Sequence, residues 1–192
     1  MMNRRKALFG LAFLSGSALA GITGFKWLQW HKEPDLAYLS SQKKLLEALT
    51  ETIIPTTDTP GAIEAGVADF ILRMVAENMT PVAQNRFIEG LKVVDSYAID
   101  ACKKPYTQCN PKQQQAIMQQ VEEQGRPLSG FAGKVQKKLV GSSFFTVLKE
   151  YTCMGYCTSL VGATRGLAYA YVPGRFTGCM PLANGQKSWA TK

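Results

Sequence analysis

The chain has 192 residues with a hydrophobic content of 46%, which is typical of a single domain that buries a core. Its only histidine, His31, lies in a predicted linker, which excludes Ser-His-Asp and Cys-His triads and zinc sites built on paired histidines. The formal net charge of +8 is spread over scattered lysines without interleaved aromatic residues, so nucleic-acid binding is not expected.

Residues 1–20 have the pattern of an export signal. Arg4 and Arg5 precede a weakly apolar run that is broken by glycine and serine, and a small-residue cleavage pattern ends at Ala20. This arrangement is typical of the twin-arginine route, which exports proteins that are already folded. We therefore expect a location in the periplasm or on the outer face of the cytoplasmic membrane. The alternative is an uncleaved anchor extending to about residue 30, since the apolar run approaches the roughly 20 residues of a spanning helix.

Residues 21–39 are predicted to be a linker and residues 40–161 a helical domain. Apolar residues recur at helical spacing along this domain, and no segment alternates as a strand would. Predicted helix starts are Ser40 or Ser41, Thr80-Pro81 and Asn110-Pro111. A further helix is predicted from about residue 134 to 160, with an interruption at Gly141 and a new start at Ser142.

Beyond the helical domain, residues 162–192 are rich in glycine, proline and aromatic residues and have no helical period. They are predicted to form an extended tail that needs a surface to lie on. The predicted fold class is therefore all-α, a single helical-bundle domain with an extended irregular C-terminal tail.

Motifs for cofactors are missing from the sequence. There is no Gly-x-Gly-x-x-Gly for a dinucleotide and no Cys-x-x-Cys-His for covalent haem. The segment around Gly133-Lys134 has misplaced glycines for a phosphate loop, and Val135 stands where serine or threonine would bind magnesium. No catalytic residue, cofactor-binding residue or metal ligand is predicted in this chain, and no cofactor is expected in it.

The five cysteines are the remaining candidates for chemistry. Cys102 and Cys109 flank a loop between two predicted helices, and we expect a disulfide there in an oxidising compartment. Cys153 and Cys157 share a helix face, so one of them can bridge to Cys179 or simply be packed. The spacings do not match an iron–sulfur cluster. Five is an odd number, which implies a free thiol or an intermolecular bond. A cysteine-based electron-transfer or thiol-redox protein of the cell envelope is the alternative function.

Two long stretches carry a resemblance to a known family. They are LTETIIPTTDTPGAIEAGVADFI at residues 49–71 and YTCMGYCTSLVGATRGLAYAYVPGRFTGCMPL at residues 151–182. Both resemble the gluconate 2-dehydrogenase subunit 3 family, and the leader and the closing GQKSWA fit as well. One departure is Cys157, where an aromatic residue is expected in relatives.

The resemblance implies a small, non-catalytic subunit of a membrane-associated, FAD-dependent dehydrogenase for sugars or sugar acids. The implied partners are a large subunit of the glucose–methanol–choline oxidoreductase type that holds FAD, a cytochrome c subunit that holds haem c, and the twin-arginine translocase. A flavoprotein that folds around FAD in the cytoplasm and lacks a signal can cross the membrane bound to a small subunit that has one.

On this interpretation, the end of the predicted domain and the tail form a partner interface. Aromatic residues and methionine are enriched in the buried centres of interfaces, and an extended tail can wrap around a partner. The alternative for Tyr156 and Phe176 is that they close the domain's own core. The predicted contact residues are Tyr156, Thr158, Gly162, Tyr169, Tyr171, Pro173, Phe176, Met180 and Trp189.

Overall fold

A computed structural model describes residues 30–126, 142–172, 174, 179, 181 and 184–190. Arg4 and Arg5 of the leader, and the predicted contact residues Pro173, Phe176 and Met180, lie outside the described residues. The all-α prediction is confirmed over the described part of the chain. Its α-helices are α1 Leu36–Ser41, α2 Lys43–Ile53, α3 Val67–Asn78, α4 Pro81–Cys102, α5 Pro111–Gln124 and α6 Phe144–Thr158, with a 3₁₀ turn at Tyr106–Gln108 and a π-helical turn at Gly162–Gly166.

Short-range capping signals set three of the helix starts. The Thr80 hydroxyl caps α4, which has proline at its first position, and Asn110 forms a capping box with Gln113 at the start of α5. Both starts confirm the prediction. Helix α6 is capped by Ser143, whose hydroxyl accepts the Thr146 N–H, one residue later than predicted.

The helical domain begins earlier than predicted. The sequence predicts a linker through residue 39, but α1 already starts at residue 36, where the Asp35 carboxylate accepts the Tyr38 N–H at 2.8 Å. The hydroxyls of Ser40 and Ser41 donate to carbonyls within α1 and do not cap α2. The predicted tail also differs at its start, since residues 162–166 are a π-helical turn.

The core lies where α2, α3, α4 and α6 meet. Leu46, Leu49, Ile71, Leu91 and Leu148 are fully buried there. Removing one such side chain from water contributes about 1.5–3 kcal/mol. The pairing of α3 with α6 is extensive, so α6 is held across the centre of the domain and its C-terminal end is fixed in place.

The start of the described chain is anchored on α4. The Trp30 indole N–H donates to the Glu89 carboxylate at 2.7 Å, and the Arg86 guanidinium lies 5.2 Å from the centre of the Trp30 ring. The Asn85 amide donates to the main-chain carbonyls of Trp30 and Lys32, at 3.1 and 2.7 Å. The chain therefore enters the domain at a defined point. None of the helices in the described ranges has both the length and the apolar character needed to cross a bilayer.

The loop between α4 and α5 is organised around a buried tyrosine. The Tyr106 ring is fully buried, its hydroxyl lies 2.9 Å from the Thr52 hydroxyl, and its N–H donates to the Asp95 carboxylate at 3.0 Å. Burial raises the pKa of Tyr106 to about 12, so the hydroxyl stays neutral. The Gln114 amide donates to the Tyr106 carbonyl at 3.1 Å. These bonds hold the loop against α2.

Cys102 and Cys109 face each other across this loop. Both are free thiols in the structure, and the Cys109 thiol donates to the Pro105 carbonyl at 3.6 Å. Burial and the contact with Cys102 raise the pKa of the Cys109 thiol, which slows its attack on an oxidant. The reduced loop thus keeps the two thiols near enough to influence each other. The disulfide remains a prediction.

We predict that protein recovered from the periplasm has a bond between Cys102 and Cys109. The Cys102→Ser/Cys109→Ser variant should then unfold with a free energy about 2 kcal/mol lower under oxidising conditions, and no lower once a reductant is added. Peptide mapping without reduction identifies the linked pair, and Cys153→Ser serves as the control. Free alkylation of both thiols in the oxidised, denatured protein would contradict the prediction.

Candidate partner interface

The two stretches that carry the resemblance pack against each other. The Tyr156 hydroxyl donates to the Pro60 carbonyl at 2.7 Å, a contact between residues that are 96 positions apart. Arg165 forms an exposed ion pair with Glu64, which by itself contributes little stability. The turn at residues 55–66 and the end of α6 with its π-helical turn therefore form one unit.

Glu51 organises the turn that follows α2. Its carboxylate accepts the N–H and the hydroxyl of Thr56, each at 2.7 Å, and the Ile63 N–H at 3.0 Å. Partial burial acts to raise the pKa of Glu51, but the hydrogen bonds from Thr56 and Ile63 outweigh it and the pKa is lowered. A Cβ at Gly61 would lie 2.3 Å from the Thr56 hydroxyl, so the turn requires glycine there.

The lowered pKa of Glu51 predicts a pH dependence of stability. A carboxylate whose folded pKa is depressed stabilises the fold above its unfolded pKa, about 4.3, and this contribution is lost as the pH falls through the folded pKa. The free energy of unfolding of Glu51→Gln should therefore lie below that of the unaltered chain at neutral pH, and the two should converge in acid. Chemical denaturation at a series of pH values measures this. The matched control is Glu77→Gln, an exposed α3 residue, and a pH-independent difference for Glu51→Gln would contradict the prediction.

Two of the predicted contact residues lie inside the domain. Tyr156 is only 7% exposed, and Gly166 lies against its ring. Gly162 is also buried, and a Cβ on it would lie 2.0 Å from the Tyr156 carbonyl oxygen. Tyr156 was predicted as a partner contact, but its burial favours the alternative, in which its ring closes the domain's own core. Because Gly162 has no Cβ, the π-helical turn can pass close to the Tyr156 carbonyl.

The other described contact residues are on the surface. Tyr171 is 88% exposed, and Tyr169 and Trp189 are about half exposed. Thr158 is exposed, but its hydroxyl donates to the Met154 carbonyl within α6. The tyrosines and the tryptophan thus have free apolar area that a partner can cover, while Thr158 is engaged locally.

Further exposed apolar residues that the sequence did not indicate lie at the end of α6, in the tail and in the turn at residues 55–66. Leu160 is 80% exposed, Val172 follows Tyr171, and Ile63 lies beside Glu64. Contacts join the segments that carry these residues, because Arg165 pairs with Glu64 and the Arg165 carbonyl accepts the Lys187 ammonium at 3.0 Å. We call this surface the aromatic end, and its residues are Ile63, Leu160, Tyr169, Tyr171, Val172 and Trp189.

The exposed apolar residues of the aromatic end are concentrated on segments that contact one another. Scattered exposed apolar residues are normal, but a group of aromatic and aliphatic side chains at one end of a domain marks an interaction site. The remaining exposed large apolar residues, such as Leu36, Val93 and Ile99, lie on the helices. The aromatic end is therefore the strongest candidate for a partner interface in the described chain.

The described residues offer little for catalysis or metal binding. They contain no group of three or more histidine, cysteine, aspartate or glutamate side chains that could hold a metal ion. A groove of about 650 Å³ beside Trp30 is lined mainly by apolar side chains, among them Phe87, Val93 and Phe144. The Arg86 guanidinium at this groove donates to the Ser142 carbonyl at 3.0 Å and is engaged structurally. Cys153, Cys157 and Cys179 are exposed free thiols, and their pairing remains open.

The family model for gluconate 2-dehydrogenase subunit 3 matches residues 40–174, well over half of the chain. The chain belongs to this family. The match spans the helices from α2 to α6 and, apart from Trp189, the whole aromatic end. By that description, members of the family are subunits of a multi-subunit gluconate dehydrogenase. No curated protein and no solved structure shows significant similarity to the chain.

Proposed function

We propose that this chain is the non-catalytic small subunit of a periplasmic dehydrogenase for gluconate or a related sugar. Its partner would be a large subunit of the glucose–methanol–choline oxidoreductase type that holds FAD and performs the oxidation. A cytochrome c subunit that holds haem c would take the electrons onward. The single observation that carries the proposal is the aromatic end, a set of exposed apolar side chains on a chain whose family is named as a dehydrogenase subunit.

Two roles follow for the chain in such a complex. By covering apolar surface on the flavoprotein, the aromatic end would stabilise the folded catalytic subunit. With its twin-arginine leader, the chain would then carry that folded subunit through the translocase. The anchoring of Trp30 on α4 supports this role, because it ties the segment behind the leader to the folded domain.

Co-expression with a candidate large subunit from the same host, a flavoprotein of the glucose–methanol–choline oxidoreductase type, tests the proposal. The chain purified alone should show neither flavin absorbance nor dye-linked dehydrogenase activity, whereas the co-expressed pair should elute together as a yellow, active complex. The double substitution Leu160→Ser/Tyr171→Ser should weaken the complex more than tenfold, as expected for residues central to an interface. The free energy of unfolding should stay within about 0.5 kcal/mol of that of the unaltered chain, because both side chains are largely exposed.

The matched control is Ile99→Ser on α4, which removes an exposed apolar side chain outside the aromatic end. This variant should bind the flavoprotein as the unaltered chain does. Equal weakening by the control and the double variant would show that the aromatic end is not the interface. Elution of the two unaltered proteins as separate species would contradict the proposed function itself.

The second candidate function is a cysteine-based redox protein of the cell envelope. The observation in its favour is that Cys153 and Cys157 are exposed on the same helix, four residues apart. Anaerobic purification with iron analysis and visible spectroscopy separates the two functions. Cluster absorbance with bound iron, or a Cys153/Cys157 pair that is reversibly oxidised and reduced in the isolated chain, would favour the redox protein. A colourless chain whose thiols undergo no reversible oxidation would not.

A further inference from the structure

The segment after the π-helical turn is an incomplete strand. Leu167 has extended dihedral angles, with φ −102° and ψ 172°, and Ala168 forms a parallel bridge with Trp189. In this bridge the Ala168 N–H donates to the Ser188 carbonyl and the Ala190 N–H donates to the Ala168 carbonyl, each at 2.8 Å. A single bridge is much shorter than the strands of three to ten residues that form stable sheets.

One edge of this strand is open. In an extended chain, successive residues direct their N–H and C=O groups to opposite sides. Because Ala168 directs both groups toward residues 188–190, Tyr169 directs both of its own groups away from them. Within the described part of the chain, no residue forms a hydrogen bond with the Tyr169 main chain. Tyr171 is the next residue in the same register and is also exposed.

We propose that this open edge binds an extended strand of the flavoprotein, so that the two subunits share a small β-sheet. The inference rests on the proposed function and specifies how the aromatic end recognises its partner. An open strand edge is a template for another strand, which gains affinity from main-chain hydrogen bonds and specificity from its side chains. The exposed rings of Tyr169 and Tyr171 would pack on side chains that flank the incoming strand.

The chemistry of the edge selects an extended protein segment as its occupant. Tyr169 offers one main-chain donor and one acceptor side by side, which a second strand matches and a helix, with its own groups paired internally, does not. The charge of the tail indicates which charge the flavoprotein surface around that strand should carry. Residues 162–192 contain four basic and no acidic residues, so an acidic surface on the flavoprotein would complement them, and the complex should weaken as salt rises.

Comparison of Tyr169→Pro with Tyr169→Ala tests the inference in the full-length chain co-expressed with the flavoprotein. Alanine removes the ring alone, whereas proline also removes the outward N–H and obstructs an added strand. We expect Tyr169→Pro to bind the flavoprotein about tenfold more weakly than Tyr169→Ala. Because Tyr169 makes no main-chain hydrogen bond within the described chain, both variants should keep the unfolding temperature of the unaltered protein.

Hydrogen exchange supplies a second readout. The Tyr169 amide should exchange rapidly in the isolated chain and slowly in the complex. Equal binding by the two variants, with a Tyr169 amide that stays fast in an intact complex, would overturn the inference while leaving the proposed function in place. Protection already present in the isolated chain, or produced by anionic phospholipid vesicles in place of the flavoprotein, would also overturn it. Absence of any complex with the unaltered chain would refute the proposed function and the inference together.

Discussion

Replacement of both Arg4 and Arg5 by lysine is expected to leave this chain and its flavoprotein partner in the cytoplasm. The substitution keeps both positive charges but removes the paired guanidinium groups, whose planar donor geometry lysine cannot reproduce. Under the proposed escort role the flavoprotein should be retained as well, because this chain would supply its only export signal. Fractionation of cells, with immunoblotting for both chains and dehydrogenase assays on each fraction, measures the effect.

Lys6→Arg is the matched control, since it alters the same part of the leader and leaves the arginine pair intact. Both chains should then reach the periplasm as in the unaltered strain. If the flavoprotein reached the periplasm with the double lysine variant while this chain stayed behind, the escort role would be refuted. The stabilising role would survive that result.

The second large effect is expected from Gly162→Ala. The new Cβ would lie 2.0 Å from the Tyr156 carbonyl oxygen and 2.9 Å from the Ser159 hydroxyl, so main chain must move to admit it. Overpacking of this kind costs about 1–3 kcal/mol, and occasionally more. The strain falls on the π-helical turn that leads to Ala168 and Tyr169. Stability and flavoprotein binding should therefore decrease together.

Gly174→Ala is the matched control for this substitution, because a Cβ at Gly174 meets no atom of the described residues within 4 Å. Thermal unfolding and co-elution with the flavoprotein, measured for both variants, separate the steric effect from a general effect of alanine in the tail. An unfolding temperature for Gly162→Ala equal to that of the control would show that the turn adapts at no cost. The assigned role of Gly162 would then be wrong.

The sequence predicted those parts of the fold that depend on neighbouring residues. Thr80-Pro81 and Asn110-Pro111 mark the starts of α4 and α5 because a side-chain cap and a proline at the first position act within one turn. Helix α1 was missed because it has only six residues, too few to show an apolar period. Its stability depends on packing, since Leu39 is buried in the core.

The candidate interface was predictable in composition but not in residue detail. Aromatic residues without a helical period indicated a contact surface, and Tyr169, Tyr171 and Trp189 are exposed. Tyr156 has the same composition around it, yet its hydroxyl bonds to Pro60 across the fold. That contact depends on the packing of α6 against α3, which no local pattern contains. The exposure of Leu160 likewise depends on how the end of α6 packs, so the sequence pattern did not indicate it.

The measurement that tests the account most directly is purification of this chain from its native host, with identification and assay of whatever comes with it. We predict a larger FAD-containing protein with dye-linked dehydrogenase activity, and, after the two are separated, a small chain that is colourless and inactive. A small chain that elutes alone and holds its own prosthetic group, or that oxidises a sugar without a partner, would contradict the account.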